Sequence, residues 1–103
     1  MGEHLYIIQM GMTGAIKIGR SSDPEVRLTQ IQTGCPYRCR LILVAQEQGW
    51  REKDIHRRLR RYRTGNFNGE WFTEQALGEL PTDLYEMFPV KTLEMVNGEW
   101  WRG

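Results

Sequence analysis

The chain has 103 residues, 40% hydrophobic and 26% charged, with a net charge of +1. That length supports one modest core and no second one, the composition is that of an ordinary soluble globular domain, and no run approaches the roughly 20 apolar residues of a membrane span. Charge is unevenly spread: residues 1–69 carry 12 Lys and Arg against 6 Asp and Glu, a net +6, while residues 70–103 carry 2 against 7, a net −5.

LYIIQM (5–10) and AIKIGR (15–20) are rich in β-formers and flank GMTG, which predicts a β-hairpin. SSDPEVR opens a helix, with Ser22 or Asp23 as cap and Pro24 at its first position; it runs to Thr33, where Gly34 stops it. After a CPY turn, Arg38 to Gln46 reads as a third strand with a mostly buried centre. Trp50 to Arg63 is the clearest helix, because Ile55, Leu59 and Tyr62 form one apolar stripe at helical spacing. TGNFNG (64–69) is a loop; EWF reads as a short extended piece, TEQALGEL as a helical turn, and Pro81 starts a short helix to about Phe88. VKTLEMV, NG and EWWRG read as a terminal hairpin, since Asn-Gly favours a type I′ turn. The β-β-α-β-α order predicts an α+β domain, a small, mainly antiparallel three-stranded sheet flanked by helices. Residues 1–80 form its core, and 81–103 an extension packed on the same domain.

Cys35 and Cys39 are too few for a disulfide framework or a tetrahedral metal site; they read as reduced thiols beside a turn and strand. Glu3 and His4 interrupt any apolar leader at once, so the expected location is the cytosol of its host.

Eleven of the 14 cations are arginine, whose planar fork of donors suits phosphate. The basic two-thirds of the chain is therefore either a face for a polyanion or a solvated, salt-bridged surface. Arg27 shares one side of the first helix with Leu28 and Ile31, at the edge of the core-facing surface. It either snorkels or waits for an anion. Glu52 lies one turn before His56, and both flank the Ile55 and Leu59 stripe. A carboxylate there is either salt-bridged or placed for a metal. Trp71 and Phe72 read as core, and Trp100 and Trp101 as packing or an oligomer contact.

Taken in order, these features resemble a known family. Tyr6 stands in L-Y-I on the first strand and K-I-G follows on the second; an arginine sits on the next helix and a glutamate on a later one. The series is similar to the GIY-YIG nuclease superfamily. It resembles in particular the phage and mobile-element branch carrying IKIGR, DPEVRL, a helix with E-x-x-I-H, and then GEWF. The resemblance spans about residues 4–80, with Leu5 where the superfamily has glycine and Lys17 where many members have a second tyrosine.

The resemblance implies hydrolysis of a DNA phosphodiester with one divalent metal, Mg²⁺ or Mn²⁺. Tyr6 would help activate the attacking water, and Lys17 would favour the phenolate or orient that water. Arg27 would hold the scissile phosphate, and Glu52 would bind the metal. His56 and Glu70 belong to the branch motif, with His56 expected among the catalytic residues beside Tyr6, Lys17 and Arg27, and Asn68 or Asn66 falls where the family places an asparagine. Arg20, Arg57, Arg58 and Arg61 would attract the DNA backbone. Gly19 would permit close backbone or phosphate approach. The alternatives are a non-catalytic nucleic-acid-binding module and a phage accessory protein that contacts a host protein. The acidic C-terminal region is the expected surface for such a partner, or for a second copy of the chain.

Overall fold

A computed structural model describes residues 2–64 and 71–86. Strands β1 (His4–Met10) and β2 (Ile16–Ser21) form the predicted hairpin. Helix α1 (Pro24–Thr33) begins where its signals predict: Asp23 accepts a hydrogen bond from the Val26 amide at 3.2 Å, Pro24 opens the first turn and Gly34 closes the last. Strand β3 (Cys39–Ala45) follows. The expected helix over 50–63 is three pieces: a 3-10 turn at Gly49–Arg51, helix α2 (Glu52–Arg58), and a second 3-10 turn at Arg60–Tyr62. Strand β4 (Trp71–Phe72), a 3-10 segment over Glu74–Glu79 and helix α3 (Thr82–Glu86) complete the described chain.

Among the described residues the sheet has four antiparallel strands in the order β3-β1-β2-β4, one more than the three expected. The extra strand is the EWF piece. Its backbone is paired on both sides: Lys17 opposes Trp71 and Ile16 opposes Phe72, while Arg63 bridges to Phe72.

Strand alternation sends apolar side chains to both faces. One face carries Leu5, Ile7, Ile16, Ile18, Leu43, Ala45 and Phe72, covered by Ile55 of α2, by Leu59 just after it, and by Ala76, Leu80 and Leu84. Residues on either side of position 80 therefore share one core. The opposite face carries Tyr6, Ile8, Met10, Leu41, Cys39 and Trp71, covered by Leu28 and, partly, Ile31 of α1. Strand β3 serves both faces through a bulge: Ile7 opposes Leu43 but Ile8 opposes Leu41, so Ile42 is the extra residue. Leu41 and Leu43 consequently point to opposite sides despite their even spacing.

One buried polar side chain interrupts the apolar ladder. Gln9 donates to the Gly14 carbonyl (3.1 Å) and to Glu74 (3.3 Å), and accepts from Arg40 at 3.1 Å. This tie fastens the 74–79 segment to the hairpin loop, where Gly14 has φ of +77°. Among the described residues no helix is long and apolar enough to cross a membrane. The expected terminal hairpin, with Trp100 and Trp101, lies outside the described residues, as do Asn66, Asn68, Glu70 and Phe88.

Candidate functional site

Tyr6 and Gly19 oppose each other across the β1–β2 ladder, and the Tyr6 ring lies directly over the glycine. A Cβ built on Gly19 would sit 2.5 Å from Tyr6 Cζ and 3.0 Å from Cε2, with the hydroxyl nearer still. The close approach expected at Gly19 is therefore made by the ring of Tyr6 itself. Tyr6 is 3% exposed.

Lys17 points to the same face. It lies opposite Ile8, on the diagonal from Tyr6, and its ammonium stands 6.0 Å from the centre of the Trp71 ring. As expected, Ile16 and Ile18 turn to the other face.

His56 sits beside β2. Among the described residues β4 pairs with Ile16 and Lys17 of that strand. His56 Nε2 meets the Ile18 carbonyl at 2.6 Å, and its ring packs edge-on against Phe72 at 5.1 Å. A carbonyl oxygen only accepts, so Nε2 carries the proton and Nδ1 is the nitrogen left for other chemistry.

Glu52 is one turn earlier on the same helix. It is half-buried, and its carboxylate takes no hydrogen bond or ion pair from a described residue. Several nearby arginines are engaged elsewhere. Arg51 forms a two-pronged pair with Asp83 (2.7 and 3.1 Å), and Arg57 pairs with Asp54 at 3.5 Å. Arg61 reaches Glu79 at 3.7 Å and stacks on Tyr62, and Arg20 reaches Glu3 at 3.3 Å. The salt-bridged alternative for Glu52 is thus not realised among the described residues.

Two arginines are more exposed than a buried site would need. Arg27 was expected at the edge of the core, but Pro24 and Leu28 are the residues α1 buries, and Arg27 is exposed. Arg58 is exposed as well. Tyr6 with Gly19, and Lys17 with Trp71, are brought together on the α1 face; Glu52 and His56 approach from α2 along the β2 edge. Among the described residues, no hydrogen bond or ion pair of Glu52, Arg27 or His56 joins the two groups.

A single hard carboxylate with retained water is a usual way to hold Mg²⁺. Glu52, partly shielded and unclaimed by any described cation, fits that role. Among the described residues no three His, Cys, Asp or Glu side chains form a cluster. The cysteines are free thiols. Burial, with the Cys35 thiol beside it, pushes Cys39 up to about 12, so it stays protonated and inert at neutral pH. An open groove of about 510 Å³ borders Leu28, Thr29, Gln32, Thr33, Arg38 and Cys39, and none of the candidate residues lines it.

Three features escaped the sequence reading. The Tyr6–Gly19 overlap and the Gln9–Arg40–Glu74 tie depend on pairing register. The third, Trp50, is 72% exposed at the start of the α2 segment; only its place off the Ile55–Leu59 stripe signals this.

Neither a curated protein nor a solved structure matches the chain. The family model described as the T5orf172 domain matches residues 3–91, most of its length. The chain therefore belongs to the T5orf172 domain family, which is phage-linked and nuclease-associated.

Proposed function

We propose that the domain is a metal-dependent endonuclease of the GIY-YIG type that hydrolyses DNA phosphodiester bonds. The observation that carries this reading is Glu52: a half-buried carboxylate, among arginines, that no described arginine claims. A structural carboxylate in such company would be expected to pair, because an unpaired, partly desolvated charge is costly.

In hydrolysis, water attacks phosphorus, the bond to the leaving sugar oxygen breaks, and a proton passes from the water to the leaving group. An ion on Glu52 would supply Lewis-acid charge to the phosphate oxygens. Tyr6, held by Gly19, offers a fixed hydroxyl to orient the water, and Lys17 on its diagonal supplies positive charge beside it. Arg27, exposed on α1, is suited to close on a phosphate after binding. His56 pins α2, and with it Glu52, to the β2 edge. The surplus of arginines over residues 1–69 supports attraction of a polyanion that weakens with salt.

One observation favours binding without cleavage. Tyr6 is almost completely buried in an apolar cluster, as a structural tyrosine would be. Supercoiled plasmid separates the readings. With Mg²⁺ or Mn²⁺ the protein should nick it, chelator should stop the reaction, and Glu52→Ala and Arg27→Ala should each abolish it. Binding with no nicking in any metal supports the non-catalytic module, and neither binding nor nicking removes both.

A further inference from the structure

Trp50 is the largest exposed apolar side chain among the described residues, and single exposed apolar residues are common enough to mean nothing alone. Its company is what matters. The turn that carries it is rigidly seated: the Gly49 amide donates to the Glu3 carbonyl at 2.8 Å, and a Cβ on Gly49 would meet that oxygen at 2.6 Å. Arg51, fixed by its two-pronged pair with Asp83, holds its guanidinium 5.9 Å from the Trp50 ring centre. The indole is thus supported by packed backbone and by an immobilised cation while most of its surface faces water.

The same side of the helical segment is basic. At about 100° per residue, Lys53, Arg57 and Arg60 follow Trp50 on the side opposite Ile55 and Leu59. All three are exposed, and Lys53 and Arg60 make no ion pair with a described residue. Asp54 meets Arg57 at 3.5 Å with both partners about 70% exposed, a pair too solvated to neutralise the face. An exposed aromatic ring followed by a row of cations is the combination that binds unpaired nucleotides: the ring stacks a base and the cations follow the phosphates. Duplex DNA offers the cations their phosphates, but it keeps its bases stacked on one another and leaves the indole unused.

We propose that Trp50 is a stacking platform for an unpaired DNA base, and that Lys53, Arg57 and Arg60 track the strand carrying it. Trp50 and Glu52 are two residues apart, about 200° round the segment, so the stacked base would lie on the other side of the helix from the scissile phosphate, in a nucleotide beyond the one that is cut. The preferred substrate is then DNA with single-stranded character near the cut. This part rests on the nuclease reading; the binding site itself does not.

The test is fluorescence anisotropy in chelator, with a labelled 20-nucleotide oligo-dT and a 20-base-pair duplex, on the full chain. Trp50→Ala should weaken oligo-dT binding about 5- to 150-fold, the range of one lost base stack, and change duplex binding less than about twofold. Trp50→Phe should restore most of the loss. Lys53→Gln should lower the slope of log K against log salt on both ligands. Equal losses on both ligands, no loss in a folded Trp50→Ala variant, or a change in sedimentation with DNA binding unaltered would each overturn the proposal. The last outcome would make Trp50 a contact between protein chains. Tighter, Trp50-dependent binding of oligo-U would overturn the assignment to DNA. If wild type never nicks plasmid while the Trp50 effect persists, the nuclease reading fails and the base site stands.

Discussion

The contact between Tyr6 and Gly19 makes a quantitative prediction. In Gly19→Ala, the new Cβ falls 2.5 Å from Tyr6 Cζ, where carbon atoms normally approach to about 3.5 Å. The ring must retreat by about 1 Å. It is rigid, 3% exposed, and packed among Ile8, Met10, Ala15 and Leu28, so the movement overpacks the α1 face. Such overpacking costs about 1–3 kcal/mol. Gly19 is not among the residues of positive φ, so alanine is sterically free in the backbone and returns about 0.4–1 kcal/mol by restricting the unfolded chain. The net loss is about 0.5–2 kcal/mol, a fall in Tm of about 2–16 °C for a domain of this size. Thermal and urea unfolding by circular dichroism read it, and a double-mutant cycle assigns it. The cost of Gly19→Ala should persist in Tyr6→Phe, which removes the hydroxyl but keeps Cζ. It should vanish in Tyr6→Ala. An unchanged Tm, or an equal fall in the Tyr6→Ala background, would refute the steric argument.

Two further outcomes concern pH. Cys39 is pushed up to about 12 in the folded chain from an ordinary value near 9, so its stabilisation is complete below pH 9 and is lost as pH rises toward 12. Base titration of wild type against Cys39→Ala should lose that limb, and a thiol reagent at pH 8 should label Cys35 well before Cys39. The Arg51 guanidinium holds the Asp83 carboxyl below its ordinary value of 3.8, so this pair stabilises above about pH 4 and fades as pH falls through the lower, folded value. Asp83→Asn should flatten the acid limb of an unfolding titration and leave the basic limb unchanged.

Much of the fold was legible because it is written in local chemistry. Asp23, Pro24 and Gly34 mark α1 through backbone hydrogen bonding within a few residues, and Ile55 with Leu59 marks the buried side of α2. What was not legible depends on partners distant in sequence. Two residues of EWF carry no strand period, and only the exposed edge of β2 and the bridge from Arg63 make them a fourth strand. The single helix read over 50–63 breaks into 3-10 turns because its ends answer to other segments. Gly49 is tied to Glu3, and Tyr62 pairs with Thr73, whose amide it accepts at 2.8 Å. The same holds for the candidate site. Helical spacing placed Glu52 and His56 together, yet which arginine would claim which carboxylate was a tertiary question. Asp83, 32 residues away, takes Arg51 and leaves Glu52 to other uses. Arg27 shows the opposite failure: sharing a helical side with Leu28 and Ile31 did not bury it.

The spacing of Glu52 and His56 gains a physical reason from β2. A strand's backbone carbonyls need donors, and the described pairing of β4 reaches Ile16 and Lys17. The next residue of β2, Ile18, is met by His56 Nε2 at 2.6 Å, so a side chain on α2 supplies the donor for that carbonyl. Phe72 packs edge-on against the same ring at 5.1 Å and orients it. Helix α2 is therefore held to the sheet in two ways: Ile55 is buried in the core, and His56 is hydrogen-bonded to β2. One helical turn is about 5.4 Å, so Glu52, four residues before His56, is carried on the same helical side one turn from that anchor. The paired spacing thus sets a half-buried carboxylate one turn from a residue tied to the strand that also carries Lys17 and Gly19.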